Sequence, residues 1–220
     1  MAISAQVPGI QFRTMEACDI DGVTDIISKA FTQREPLTTC LGIPREKDFF
    51  ETRAVCQLAA RDGVSVVAVD TTSNKIIGVA SSIIVNSNPE PLDIPTEVLK
   101  MYEPIYALID KMQKVFHDSP TYKNNPGSKV ISAMKLGVHP KYTGRGIGTK
   151  LRQATTDLAQ SRGYHFVTAV ATAPESQRIY QKLGFQQLYD LKYCDFEMKG
   201  NRPFAQLGTL SAELYYKKLF

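Results

Sequence analysis

Apolar and polar residues follow two distinct periods along this chain. Ile10 to Met15 reads as a short strand, after which Val23, Ile26, Ile27, Ala30 and Phe31 recur at the spacing of one helix face. REPLTTCLGIP interrupts that pattern with two prolines and a glycine, and a second helix through Phe49, Phe50, Ala54 and Leu58 starts after Pro44. Val64 to Asp70 and Lys75 to Val85 are rich in Val and Ile and flank the polar TTSN, which predicts an antiparallel hairpin. NSNPEPLDIP reads as a loop. Val98, Met101, Tyr102, Ile105, Ile109, Met112 and Phe116 then return to helical spacing, with Pro104 expected to kink that helix or to mark its beginning.

After the turn-forming NNPG, Lys129 to Val138 is a predicted strand, and Ile147, Leu151, Ala154, Leu158 and Ala159 form the apolar stripe of a helix ending near Gly163. Phe166 to Ala171 is a strand, Ser176 to Leu183 a helix stopped by Gly184, and Phe185 to Tyr193 and Leu210 to Leu219 are two closing strands. This order predicts an α/β (α+β) fold, a mixed sheet carrying helices on both faces. The 220 residues show no break in composition, so residues 1–220 are expected to form a single domain.

Composition narrows the function classes. A net charge of +4 with scattered Lys and Arg offers no stripe that would follow a nucleic-acid backbone. Cys18, Cys40, Cys56 and Cys194 form no CxxC pair, so neither a zinc site nor a redox dithiol is expected, and no metal is implied. MAISAQVPGIQF lacks a basic segment followed by an apolar one, and no stretch approaches 18 consecutive apolar residues. The expectation is a cytoplasmic protein without membrane contact, as a monomer or homodimer.

The candidate chemistry lies in KLGVHPKYTGRGIGTKL, where a strand ends and glycines 144, 146 and 148 open an amphipathic helix. Glycines let the backbone approach a phosphate, and the unpaired N–H groups and dipole of the first helical turn attract it. A dinucleotide fingerprint fails because Thr149 stands at the third glycine, and a P-loop fails because Gly148-Thr149-Lys150 reverses the required Lys-Ser/Thr order. The segment resembles the pyrophosphate loop of the GNAT superfamily of acetyl-CoA-dependent N-acetyltransferases. The superfamily pattern Q/R-x-x-G-x-G/A falls on Thr143 to Gly148, with Thr143 departing from Gln or Arg.

That resemblance implies a mostly antiparallel central sheet and acetyl-CoA as co-substrate. It implies contacts to the cofactor from Arg145, Gly146, Gly148 and Thr149, and to the pantetheine arm from the backbones of Leu136 and Val138, where the strand splays open. APESQRIYQKLGFQQL resembles the superfamily's later helix and gives Tyr180 the role of protonating the departing CoA thiolate; Ala173 stands where that helix often carries asparagine. FTQREPL is similar to the FxxxEPL segment of insect-type arylalkylamine N-acetyltransferases, which implies Glu35 as general base with Thr172 and Ser176 assisting. The expected acceptor is the primary amine of a small molecule, an arylalkylamine, with agmatine, a polyamine or a protein lysine as rivals. A non-catalytic CoA-binding module would bind acetyl-CoA without turnover, and a purely structural protein would not bind it. Met101, Tyr102, Tyr106, Met112, Phe116 and Tyr122 either wall an aromatic-amine pocket or are ordinary core.

Overall fold

The computed structural model describes residues 7–85 and 92–220. Its strands are β1 (Ile10–Thr14), β2 (Val66–Asp70), β3 (Lys75–Ile84), β4 (Val130–Val138), β5 (Phe166–Ala171), β6 (Gln186–Lys192) and β7 (Ser211–Lys218). They form one sheet in the order β1-β2-β3-β4-β5-β7-β6, in which only the β4–β5 pair is parallel. The helices are α1 (Ile20–Arg34), α2 (Pro36–Cys40), α3 (Arg45–Asp62), α4 (Thr96–Asp118), α5 (Pro120–Lys123), α6 (Ile147–Ser161) and α7 (Pro174–Lys182).

Alternation within the strands assigns the two faces. Val67 and Val69 of β2 pack with Val23 and Ile27 of α1 and Cys56 of α3, while Val66 and Ala68 pack with Ile147, Leu151 and Ala154 of α6. On the other half of the sheet, Val130, Phe166 and Leu214 face α4, and Ile131, Val167 and Tyr215 face Tyr180 of α7. The sheet is therefore covered on both sides, as expected, and each fully buried Val contributes about 1.5–3 kcal/mol.

Three local expectations needed correction or refinement. REPLTTCLGIP is not a simple break, because Pro36 sits at the first position of α2, where its missing N–H costs nothing. Pro104 lies inside α4 and does not begin it, since the helix starts eight residues earlier at Thr96. Met112, Phe116 and Tyr102 are core residues under the sheet rather than pocket walls. Of the expected loop NSNPEPLDIP, residues 86–91 lie outside the described residues. No helix among the described residues is long and apolar enough to cross a membrane, and all four cysteines are free.

The feature that positions the site is a bulge in β4. Ala80 pairs with Leu136 and Ser82 with Ala133, so Ser81 alone opposes both Met134 and Lys135. The Ser81 hydroxyl closes the gap, accepting from Lys135 N–H (3.0 Å) and donating to Lys135 C=O (3.1 Å). The Lys135 side chain turns into the α1/α3/α4 layer and donates to Glu51 (2.7 Å) and Thr52 (3.2 Å), with its ammonium 4.6 Å from the centre of the Phe31 ring. Tyr102 donates to Asp48, and Tyr106 donates to Glu51 at 3.0 Å. Burial works to lower the Lys135 pKa, and the Glu51 and Asp48 charges outweigh it, so the ammonium is held above its usual range. Lys135→Met would leave two buried carboxylates without a cation, and we expect a loss of about 3–5 kcal/mol in urea unfolding. Glu51→Gln combined with Lys135→Met should recover part of that loss.

Candidate active site

Beyond the bulge, β4 leaves β5. The two strands pair from Val130 with Phe166 as far as Ala133 with Ala169, and no further. The opening between them is the head of a cavity of about 660 Å³. Met134, Leu136 and Val138 form its β4 wall, and Val170 and Thr172 its β5 wall. On the open side β4 presents backbone groups without a strand partner, which suits a ligand carrying amides in extended form.

The glycine turn closes one end. Gly144 and Gly146 have φ of +77° and +72°, and a Cβ built on either meets nothing within 4 Å, so the space over both is open. Lys150 N–H reaches Gly146 C=O at 3.1 Å, the first such bond of α6, which leaves the N–H groups of residues 147–149 without acceptors in the helix. A phosphate fits that cradle by charge and by shape. Tyr142 ties the turn down, donating to Asp70 at 2.8 Å, and the Arg145 guanidinium lies 5.1 Å from the Tyr142 ring centre. Arg145 itself is not part of the lining, whereas Leu136, Val138, Gly146, Gly148 and Thr149 all are.

At the other end stands Glu35. It is the last residue before Pro36, whose ring disfavours helical backbone at the position preceding it, and its φ and ψ of −77° and 124° end α1 and cap α2 together. Oε2 accepts from Thr38 N–H at 2.7 Å, while Oε1 is buried with no hydrogen-bond partner among the described residues. The Tyr193 hydroxyl is nearby; burial first, and the Glu35 charge second, push its pKa up, and it donates to Thr172 C=O at 2.6 Å. Ser176 donates to Ala173 C=O at 2.7 Å and so closes the first turn of α7, which commits its proton to the backbone.

Tyr180, on α7, has its ring fixed on several sides. Tyr215 stacks against it at 5.5 Å, Phe185 meets it edge-on at 5.0 Å, and the Arg152 guanidinium lies 5.7 Å from its centre. The ring is 96% shielded yet borders the cavity, and its hydroxyl has no hydrogen-bond partner among the described residues. One cavity thus joins the anion cradle, a carboxylate with an idle oxygen and a phenol with an idle hydroxyl.

Residues 23–185 match the family model described as acetyltransferase (GNAT) family. The chain belongs to that family. Its activity class is acetyl-CoA-dependent N-acetyl transfer. Among solved structures it is similar to the C-terminal condensation domain of Ebony in complex with beta-alanyl-dopamine, with a TM-score of 0.82, 17% identity, and coverage of 95% of this chain and 98% of that one. It is also similar to arylalkylamine N-acetyltransferase 2 from Aedes aegypti, at 0.78, 21%, 96% and 99%. A polyamine N-acetyltransferase of Drosophila melanogaster that forms N-acetylagmatine follows at 0.69, 16%, 95% and 99%. At such identities the likeness establishes the GNAT fold, and the acceptor has to be argued from the cavity.

The sequence pattern did not disclose Tyr142, Tyr193 or Arg152. Arg152 follows the stripe residue Leu151 and reads as solvent-facing, but α6 is buried over a wide arc that includes Arg152, Thr155 and Thr156. Among the described residues no group of three or more His, Cys, Asp or Glu is placed to hold a metal ion. Gly146→Ala forces a Cβ onto left-handed backbone at a cost of about 1–2 kcal/mol. Relaxation of the turn in the free protein transfers that cost to binding, so we expect acetyl-CoA binding, followed by calorimetry, to weaken roughly tenfold, with the thermal midpoint little changed.

Proposed function

We propose that the protein acetylates the primary amine of an arylalkylamine by direct attack on acetyl-CoA, with Glu35 as general base and Tyr180 as general acid. The observation that carries this reading is the idle Glu35 Oε1. Its partner oxygen is engaged by Thr38 N–H, so the carboxylate is held in place at the cavity wall while one oxygen has no partner among the described residues and can take a proton from an ammonium. In the reaction the ammonium gives a proton to Glu35, and the freed lone pair forms the N–C bond at the thioester carbonyl. Backbone N–H groups of the parted β4 edge are the available donors for the oxyanion. Collapse breaks the C–S bond, the Tyr180 hydroxyl protonates the sulfur of departing CoA, and the second proton of the adduct's nitrogen leaves to water, as does the one held by Glu35. No covalent enzyme intermediate is required.

The walls support this acceptor class. Phe31, Met134, Leu136, Val170 and Ile179 are apolar, which suits an aromatic ring attached to the amine. A second cationic group, as in agmatine or a polyamine, calls for a second carboxylate. Glu103 and Glu97 of α4 instead pair with Lys199 and Lys47 on the surface, although Glu175 does border the cavity. Thr172 and Ser176 border it as well; Thr172 is available to the acceptor, and Ser176, its hydroxyl bonded to Ala173 C=O, acts through the first turn of α7.

Release of CoA thiol, measured with tryptamine, serotonin, dopamine, tyramine, agmatine, spermidine and a lysine peptide, tests both parts. Turnover should concentrate on the arylalkylamines. Glu35→Gln can still accept from Thr38 N–H and should leave the thermal midpoint nearly unchanged, while kcat/KM falls by about 10²–10⁴. Preference for agmatine or spermidine would remove the arylalkylamine assignment, and full activity of the Gln variant would remove the base.

A further inference from the structure

Arg152 is a physical anomaly that the proposed mechanism does not use. It is wholly buried and carries a guanidinium cation. Among the described residues no carboxylate pairs with it. Nη1 donates to Ser81 C=O (3.4 Å) and Ser82 Oγ (3.2 Å), both neutral, and Nε and Nη2 have no acceptor among the described residues. A buried cation with two idle nitrogens carries a large desolvation cost, and a neighbouring ring face offsets only a part of it. The ring in question belongs to Tyr180.

We infer that Arg152 is a positioning residue for the leaving-group proton, a fixed buried cation that stabilises the phenolate formed when Tyr180 protonates CoA sulfur. The inference rests on Tyr180 being the acid. When the C–S bond breaks, its electron pair goes to sulfur, the phenolic proton follows, and a negative charge appears on the Tyr180 oxygen. Arg152 attracts that charge more strongly than it attracts the neutral phenol, so its effect falls on the transition state and not on substrate binding. The phenolate is then reprotonated from water as products leave.

The charged and titratable neighbours agree with this. Burial pushes the Tyr180 pKa up and the Arg152 charge pulls it back, with the net still above the usual phenol range. Tyr215, stacked on Tyr180, is itself pushed up to about 12 by burial and by its bond to Glu213, so it stays protonated through the working range. Gln181 donates to the Tyr215 oxygen at 2.9 Å. Lys217 lies over Phe185 and donates to Leu183 C=O at 2.7 Å, one layer away from the Tyr180 ring. The strand residues packed on this side, Ile131, Ala133, Val167 and Ala169, are uncharged.

The test compares Arg152→Met, Arg152→Lys and Tyr180→Phe by the pH profile of kcat and by ultraviolet titration of tyrosinate, the latter read as a difference from Tyr180→Phe and independent of turnover. Without the cation the Tyr180 pKa rises. Arg152→Met should therefore lower kcat about ten- to hundredfold at neutral pH and move the alkaline limb and the tyrosinate titration up by about a unit or more. The KM for acetyl-CoA should stay within about twofold. Arg152→Lys should recover much of both shifts. If Arg152→Met fails to fold, Arg152→Gln, which keeps hydrogen-bonding groups but not the charge, carries the test, and unmoved limbs in that variant overturn the inference. A fall in kcat with limb and titration unmoved overturns it too, since packing alone would do that. Tyr180→Phe with kcat and alkaline limb intact would instead remove the acid on which the inference rests.

Discussion

Past Ala133 and Ala169 the only parallel pair of strands in the sheet no longer shares hydrogen bonds, and the backbone edges laid bare become the walls of the cavity. A sheet does not open in this way without compensation, because every polar backbone group removed from a ladder must find another partner. Here the compensation is local. One extra residue in β4, opposed by Ser81, bends the strand away from β5, and the Ser81 hydroxyl takes up the two backbone groups of Lys135 that the bend displaces. The glycine turn, the carboxylate at the end of α1 and the phenol on α7 are arranged around the resulting wedge.

Two buried cations stand on opposite faces of this bulge, in opposite electrostatic circumstances. Lys135 has Glu51 in direct contact and Asp48 close by, with two tyrosines donating to the carboxylates, so its charge is more than matched. Arg152 touches only neutral oxygens and a ring. The first arrangement is what a fold uses to fix a strand, since loss of either partner is costly. The second stores an attraction with no ground-state anion to satisfy it, and it is found beside the group that becomes anionic in the proposed reaction.

Much of the architecture was legible because it depends on periodicity. The alternating Val and Ala residues of β2 divide cleanly between the two layers, and the stripe from Ile147 to Ala159 meets the sheet where its spacing places it. The glycine turn was legible for a related reason, as positive φ at Gly144 and Gly146 leaves a mark in residue type. What escaped were features that periodicity hides. A lysine in a strand and an arginine in an amphipathic helix both read as solvent-facing, and only packing reveals that Lys135 and Arg152 point inward. The insertion of β7 between β5 and β6 leaves no local signal either, for it is fixed by pairing between segments separated by the turns around Tyr193 and Leu207. Likewise, the aromatic residues of α4 have the same spacing whether they line a pocket or fill a core, and the sheet behind them decides.

Glu35 ends one helix, begins the next and lines the cavity. The lip of the cavity and the proposed base are thus specified by a single codon. A change there to a side chain without an acceptor would also unfasten Thr38 and the turn beyond it, whereas glutamine would keep the rim and remove the base. New acceptors are most readily explored along the opposite walls, at Phe31, Met134 and Val170, where a change of side chain leaves the helix junction untouched.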